Sequence, residues 1–507
     1  MFMIHSVLDF LERNAEQFPD KKALADDQSA KTYKEYEADV RKIAGYLLKS
    51  AAKNRIQSPI AVLIDRNIQC IEVFLGIAAT GNFYVPVDPS LPSERISTIL
   101  NELKPLAVIN AAGEKCQFEN AILFEDILAS EFDNDEEVRE RMKEIIDTDP
   151  LYAIFTSGST GIPKGVLISH RGVIDLLNAF DEAFSFPSDS VFGNQAPFDF
   201  DVSVKDIYNA LYCGGTVQVI PKKMFVMPKE LITFLSEKGV NTIIWAVSAV
   251  RIVSDFKVLD TTEKEAYPKL KYVMFSGEVM PVKSLNYWMD HFQDTVFVNL
   301  YGPTEITCNC TYAVIDKKYD INESLPIGKS FANTRVYLLN KDLGIIRKKN
   351  EIGEIAVEGS GLALGYYNNP EKTNESFILH PEISGYRNVL YRTGDLGYYG
   401  ENNEIFFANR SDSQIKHMGH RIELGEIETA LNAMDFLGMS CCLYDKQKEK
   451  IICIYQAEED KRKDIVRELG KKMPKYMWPN KYIRYDAMPM NSHGKIDRAK
   501  LKKDILE

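Results

Sequence analysis

No stretch of the 507 residues approaches the ~18 consecutive apolar residues of a membrane-crossing helix, so integral membrane association is not expected. The eight cysteines, at 70, 116, 213, 308, 310, 441, 442 and 453, are scattered through a large chain, unlike a disulfide framework. Cys308 and Cys310 stand close together, but no second cysteine pair or histidine cluster lies at a zinc-site spacing. Basic charge is also short. Against 73 Asp and Glu there are 61 Lys and Arg, a formal charge of -12, which gives no support to nucleic acid or an anionic membrane as main partner. The N-terminus reaches an acidic residue by Asp9 and lacks the charged-then-apolar pattern of a signal peptide, so the expected location is cytoplasmic. Repeats and low-complexity segments are missing too.

Apolar residues at 45% and charged residues at 26% are ordinary globular usage, and this length predicts two or more domains. Ser6 with Asp9 reads as a capping box ahead of a helix over 7–15. Short apolar runs at 60–64, 84–87, 107–109 and 152–156 alternate with helical patterns at 35–49, 70–80 and 92–103. A second series of strands follows at 191–196, 215–220, 241–247, 271–275 and 296–300. This alternation predicts α/β layers with largely parallel strands, whose ligands sit beyond the strands' carboxyl ends. After about 325 the texture turns to short strands and turns at 335–339, 354–359 and 404–410, a β subdomain. The fold class is therefore α/β: a large N-terminal domain of α/β layers plus a β subdomain over 1–411, with a small α+β C-terminal lobe over 412–507.

The stretch FTSGSTGIPKGV, 155–166, leaves one strand pattern and enters another, framing that a flexible linker does not need. It also fails as a Walker A loop, because Lys164 is followed by Gly165 and preceded by Gly161 only three residues earlier. What remains is a loop whose backbone N–H groups and hydroxyls surround polyphosphate, with Lys164 as a mobile positive charge.

TSGSTGIPKG resembles the signature of the AMP-forming adenylate enzymes: acyl-CoA synthetases, luciferases and the amino-acid-activating domains of nonribosomal peptide synthesis. The resemblance continues in order through FDFDVSVKDIY (198–208), NLYGPTE (299–305), GEIAVEG (353–359), YRTGDLG (391–397), NRSDSQIKHMGHRIELGEIE (409–428) and NSHGKIDR (491–498), and so covers essentially the whole chain. It implies attack by a carboxylate on the α-phosphorus of ATP, leaving an acyl-AMP, with Mg2+ and lysine countering the charge. By this resemblance Glu305 is the magnesium ligand and Thr304 touches the α-phosphate, while Thr156, Ser157, Gly158, Ser159, Thr160 and Lys164 hold the outer phosphates. Asn299 and Tyr301, the latter before Gly302, meet adenine; Asp395 takes the ribose hydroxyls, and Arg410 reaches the ribose from near a hinge at Asp412. Asn409 stands where the family usually has glycine. Lys495, arriving from the small mobile lobe, bridges the substrate carboxylate and the AMP oxygens. No dedicated base is evident: His170, His417, His420 and His493 are structural or phosphate-proximal.

Asp201 matches the aspartate that binds the α-ammonium of amino-acid substrates, with a helix cap as the plain alternative. The pocket carried over is Asp201, Val202, Lys205, Met274, Ser276, Leu300, Cys308 and Asn309, with either Trp245 or Ala246 beside them. Large apolar groups there favour a small side chain. Lys205 pulls the other way: pointing inward it asks for an acidic substrate such as glutamate, and pointing outward it says nothing. Only an activating module is expected, since no carrier-type motif follows. The chain is thus similar to the D-alanine:D-alanyl-carrier-protein ligases of cell-wall teichoic acid D-alanylation, which load a separate phosphopantetheine carrier. Within FSGEVMP (275–281), Ser276 stands where that subgroup typically has cysteine. The alternatives are a stand-alone enzyme for serine, glycine, L-alanine or glutamate, an acyl-CoA synthetase, or a non-catalytic binding protein.

Overall fold

The computed structural model describes residues 4–113, 118–156, 163–321, 323–410, 414–490 and 496–506, with the side chain at 499 left aside. Two compact units result: Met1–Asp88, Leu103–Ile154 and Gly165–Ser411 form one, and Pro89–Glu102, Phe155–Lys164 and Asp412–Glu507 the other.

In the first unit six parallel strands lie in the order Val296–Tyr301, Tyr272–Ser276, Thr242–Ala246, Val191–Asn194, Thr216–Val219, Lys22–Ala25. Antiparallel strands extend both edges, Thr311–Ile315 on one side and Ala30–Thr32 on the other. Thr216–Val219 and Thr242–Ala246 are buried at every position. A parallel sheet covered on both faces requires such continuous burial, which is why these strands read as unbroken apolar runs. Each strand nevertheless divides its side chains: Ile244, Met274, Val298 and Leu300 join one core, and Ile243, Trp245, Val273, Phe275 and Phe297 the other.

A second sheet is built on Pro59–Leu63, parallel to both Phe83–Val87 and Val108–Asn110. Helices Tyr33–Lys49 and Ile68–Ala78 pack together beside it, closely enough that a Cβ on Gly76 would lie 2.4 Å from Cγ2 of Ile43. The capping box belongs to the first of these helices: Thr32 accepts from the Glu35 N–H while Glu35 accepts from the Thr32 N–H. At the N-terminus only half of that motif forms. Asp9 accepts from the Ser6 N–H at 3.2 Å, but the Ser6 hydroxyl accepts from Leu8, because the helix begins there and the hydroxyl reaches its first N–H.

Beyond Lys329 an antiparallel sheet runs through Thr334–Leu339, Gly353–Gly359 and Val389–Tyr399, with Ile405–Arg410 on its far side. In the second unit, strands Ser440–Asp445, Lys450–Gln456 and Lys481–Tyr485 form a sheet whose core includes Ile427 and Leu431 of the helix Leu424–Asn432. Within this unit Arg95 and Glu426 make a buried ion pair of 2.5 Å. No helix among the described residues is long and apolar enough to cross a membrane.

Candidate active site

NLYGPTE leaves the sheet at a strand end. Tyr301 is the last residue of Val296–Tyr301, and Thr304–Ile306 forms a single 3-10 turn after Gly302 and Pro303. Gly302 is required by contact: a Cβ there would lie 2.5 Å from the Asn309 Cα and 2.6 Å from the Cys308 carbonyl oxygen. The chain doubles back through Thr307 and Cys308, both in the left-handed region at φ 54° and 76°. The Thr307 hydroxyl donates to the Gly361 carbonyl at 2.7 Å, which helps hold a conformation costly for a β-branched residue.

Three residues of the expected nucleotide site meet in this unit. The Tyr301 hydroxyl donates to Asp395 Oδ2 at 2.6 Å, and the Arg410 guanidinium pairs with Oδ1 of the same carboxylate. Asp395 and Arg410 face each other in antiparallel register on adjacent strands. Arg410 also donates to the Thr393 carbonyl at 3.2 Å, so the described guanidinium braces Asp395. Burial, then the Asp395 charge, hold the Tyr301 phenol well above its ordinary value and keep it a donor. Asn299 donates through its side-chain amide to the Pro326 carbonyl at 2.8 Å, which leaves its amide oxygen as the acceptor to offer.

Glu305 is fully buried, and its Oε1 accepts from the Tyr366 hydroxyl at 2.8 Å. Tyr366 carries no motif signal and was not expected in the site. No group of three or more His, Cys, Asp and Glu able to hold a metal occurs among the described residues. One carboxylate nonetheless fits a Mg2+ ion bound mainly by substrate phosphates and water, the usual mode for that ion. Thr156 ends the strand Pro150–Thr156 and Lys164 begins Lys164–Ser169, so both flank the glycine-rich loop. Ser157, Gly158, Ser159, Thr160, Asp412 and Lys495, and also His493, lie outside the described residues.

Asp201 immediately precedes the helix Val202–Cys213 but makes no side-chain cap, which removes the capping alternative. One turn on, Lys205 is fully buried and donates from Nζ to the Ser276 hydroxyl at 2.8 Å. Its charge also acts on the Cys308 thiol. Burial raises the thiol most, the Asp201 charge raises it further, and Lys205 opposes both. Asp201, Lys205, Asp206 and Cys308 are thus within electrostatic reach of one another, with Ser276 bonded to the lysine. Met274 and Leu300 are buried in the same core, and Val202 is buried beside Asp201 in the chain.

Ala246 pairs with Ser276 in parallel register and so shares its side of the sheet. Trp245 does not. Its indole donates to the Gly193 carbonyl at 2.7 Å and meets Phe225 edge-on in the opposite core, so the choice between Trp245 and Ala246 falls to Ala246. Asn309 lines a cavity with Asp175, Thr307 and Glu358, and neither side-chain amide atom has a hydrogen-bond partner among the described residues. His170 is structural: buried, it accepts from the Val7 N–H at 3.2 Å, and burial pushes its pKa down to about 3.

Residues 11–367 match the family model described as AMP-binding enzyme. The chain belongs to that family. Members resembling this AMP-binding enzyme include proteins named D-alanine--D-alanyl carrier protein ligase from Bacillus anthracis and Bacillus cereus, each 32% identical over 98% of this chain and 99% of the relative. Among solved structures it resembles the Vibrio cholerae adenylation domain AlmE in complex with glycyl-adenosine-5'-phosphate. That match has a TM-score of 0.81 at 19% identity, over 99% of this chain and 98% of the other. It also resembles NpsA-ThdA, an artificially fused adenylation-PCP di-domain from Klebsiella oxytoca, with a TM-score of 0.79 at 22% identity over 96% and 94%. At these identities the structural likeness establishes the fold of the AMP-binding enzyme.

Proposed function

We propose that this protein is a cytoplasmic amino acid:carrier-protein ligase. An amino acid's carboxylate oxygen attacks the α-phosphorus of ATP, the bond to the β-phosphate oxygen breaks, and pyrophosphate leaves an aminoacyl-AMP. A phosphopantetheine thiol on a separate carrier protein then attacks the carbonyl, forming a thioester as AMP departs with the electron pair. The observation that carries this reading is the end-to-end likeness to relatives named D-alanine--D-alanyl carrier protein ligase, which makes D-alanine the first candidate substrate.

Chain residues then take these roles. Asp395, braced by Tyr301 and Arg410, receives the ribose hydroxyls; Thr304 meets the α-phosphate; Asp201 takes the α-ammonium. Thr156 to Thr160 and Lys164 cradle the outer phosphates. Mg2+, held by Glu305 with phosphate oxygens, would supply positive charge at the leaving group. A lobe beginning at Asp412 brings Lys495 between the two reacting anions and later turns away to admit the thiol.

The deciding measurement is amino-acid-dependent exchange of labelled pyrophosphate into ATP, followed by thioester formation on a phosphopantetheinylated carrier. D-Alanine-dependent exchange that Lys495→Ala nearly abolishes while ATP still binds is the expected result. No exchange with any amino acid removes the reading.

A further inference from the structure

One short segment, residues 361–366, grips the turn that carries Glu305. The Ala363 N–H donates to the Glu305 carbonyl at 2.8 Å, the Tyr366 hydroxyl donates to Glu305 Oε1 at 2.8 Å, and the Gly361 carbonyl accepts from the Thr307 hydroxyl at 2.7 Å. Backbone and carboxylate of Glu305 are thus held by the same stretch of chain. That stretch is also joined to the strand Lys164–Ser169, which follows the glycine-rich loop in the chain. Gly365 and Tyr366 pair antiparallel with Leu167 and Val166. The Leu364 N–H donates to the Leu167 carbonyl and the Tyr367 N–H to the Gly165 carbonyl, both at 2.8 Å.

Tyr366 is itself fixed at both ends. Its backbone N–H donates to the Thr373 hydroxyl at 2.9 Å, and that hydroxyl donates to the Asn369 carbonyl at 2.8 Å. Its ring is buried and meets Phe377 edge-on, 5.9 Å between centroids. A phenol anchored at backbone and ring has already lost its rotamer freedom, so it orients a carboxylate at little further entropic cost. A donor to one carboxylate oxygen also leaves the charge in place. Its loss is felt where the carboxylate has to meet a cation.

We infer that residues 361–366 are a clasp on the Glu305 turn and that Tyr366 is a positioning residue for Glu305, orienting the carboxylate and tying its placement to the strand Lys164–Ser169. This inference rests on the metal role proposed above for Glu305.

The test compares the full chain with Tyr366→Phe, Glu305→Gln and the double variant, with thermal unfolding reporting whether each folds. Calorimetric titration with ATP, with and without Mg2+ and with no amino acid present, gives the factor by which Mg2+ tightens nucleotide binding. Tyr366→Phe is expected to shrink that factor by about three- to tenfold, as for one lost hydrogen bond. It is expected to raise the Mg2+ concentration for half-maximal pyrophosphate exchange likewise, while kcat at saturating Mg2+ stays within about twofold. In the Glu305→Gln background the same substitution is expected to change neither, because it acts through the carboxylate. A purely structural role would lower kcat in both backgrounds and leave the Mg2+ factor alone; that result overturns the inference, as does an unchanged factor in Tyr366→Phe. If Tyr366→Phe does not fold, Thr373→Val, which removes the acceptor of the Tyr366 N–H, is read in the same way. A Glu305→Gln variant that keeps the wild-type factor overturns the metal role itself. Exchange with no amino acid overturns the ligase reading, and the ATP titration still decides the clasp.

Discussion

Tyr301 donates its hydroxyl hydrogen to Asp395 Oδ2 across 94 residues of chain, joining the end of a parallel strand to the antiparallel sheet. The carboxylate proposed to receive the ribose hydroxyls is thereby fixed from one side by a phenol and from the other by Arg410. Tyr301→Phe keeps the ring but removes the donor. The KM for ATP is expected to rise by about three- to tenfold with a smaller change in kcat, as for one lost hydrogen bond to a charged group. Initial rates against ATP concentration check this, and an unchanged KM would show that Arg410 alone suffices.

Glu305 combines complete burial with a hydrogen bond from Tyr366. Glu305→Gln keeps the size and removes the charge, and is expected to slow adenylation by about a hundredfold while raising the Mg2+ concentration needed for half-maximal rate. Tyr366→Phe leaves the charge and should cost far less. A magnesium titration of the exchange reaction separates the two, and equal effects would reject the metal role of Glu305.

Gly302→Ala puts a methyl group against backbone that cannot yield, 2.5 Å from the Asn309 Cα. The expected loss is about 1–3 kcal/mol of stability, with adenylation falling as the turn carrying Thr304 and Glu305 shifts. Denaturant unfolding measures the first effect and exchange the second. A stable, fully active variant would mean that the turn moves freely.

His170 sets a pH dependence whose sign follows from its environment. Its pKa is depressed from 6.5 to about 3 by burial, so the folded chain binds fewer protons than the unfolded chain between those values. Stability from the neutral ring is fully present above pH 6.5 and declines as pH falls towards 3, by about 2 kcal/mol between pH 7 and pH 5. Chemical denaturation at those pH values should show the loss in the native protein and less of it in His170→Asn. Equal losses would place the titration elsewhere.

The residues proposed for the nucleotide were singled out because they sit in contiguous motifs, and the structure places Thr304 and Glu305 in one turn, Asp395 in a strand and Arg410 on the next strand. Tyr366 was not, since its bond to Glu305 spans 61 residues and no local pattern marks it. Asp201 was singled out as an ammonium ligand with a helix cap as its alternative. The helix geometry removed the cap.

The order of strands and helices, the turn to short β-strands after about 325 and the motifs flanking each strand end were determined by sequence, because apolar periodicity and glycine placement act locally. The facing of side chains was decided only by tertiary structure. In Thr242–Ala246 every residue is buried, so hydrophobicity cannot say that Trp245 and Ala246 serve opposite faces; the sheet's position between two cores does. Lys205 likewise had inward and outward readings until Ser276, 71 residues away in the chain, accepted a hydrogen bond from its ammonium and held it inside. A buried charge is placed by partners distant in sequence, and only folding brings those partners together.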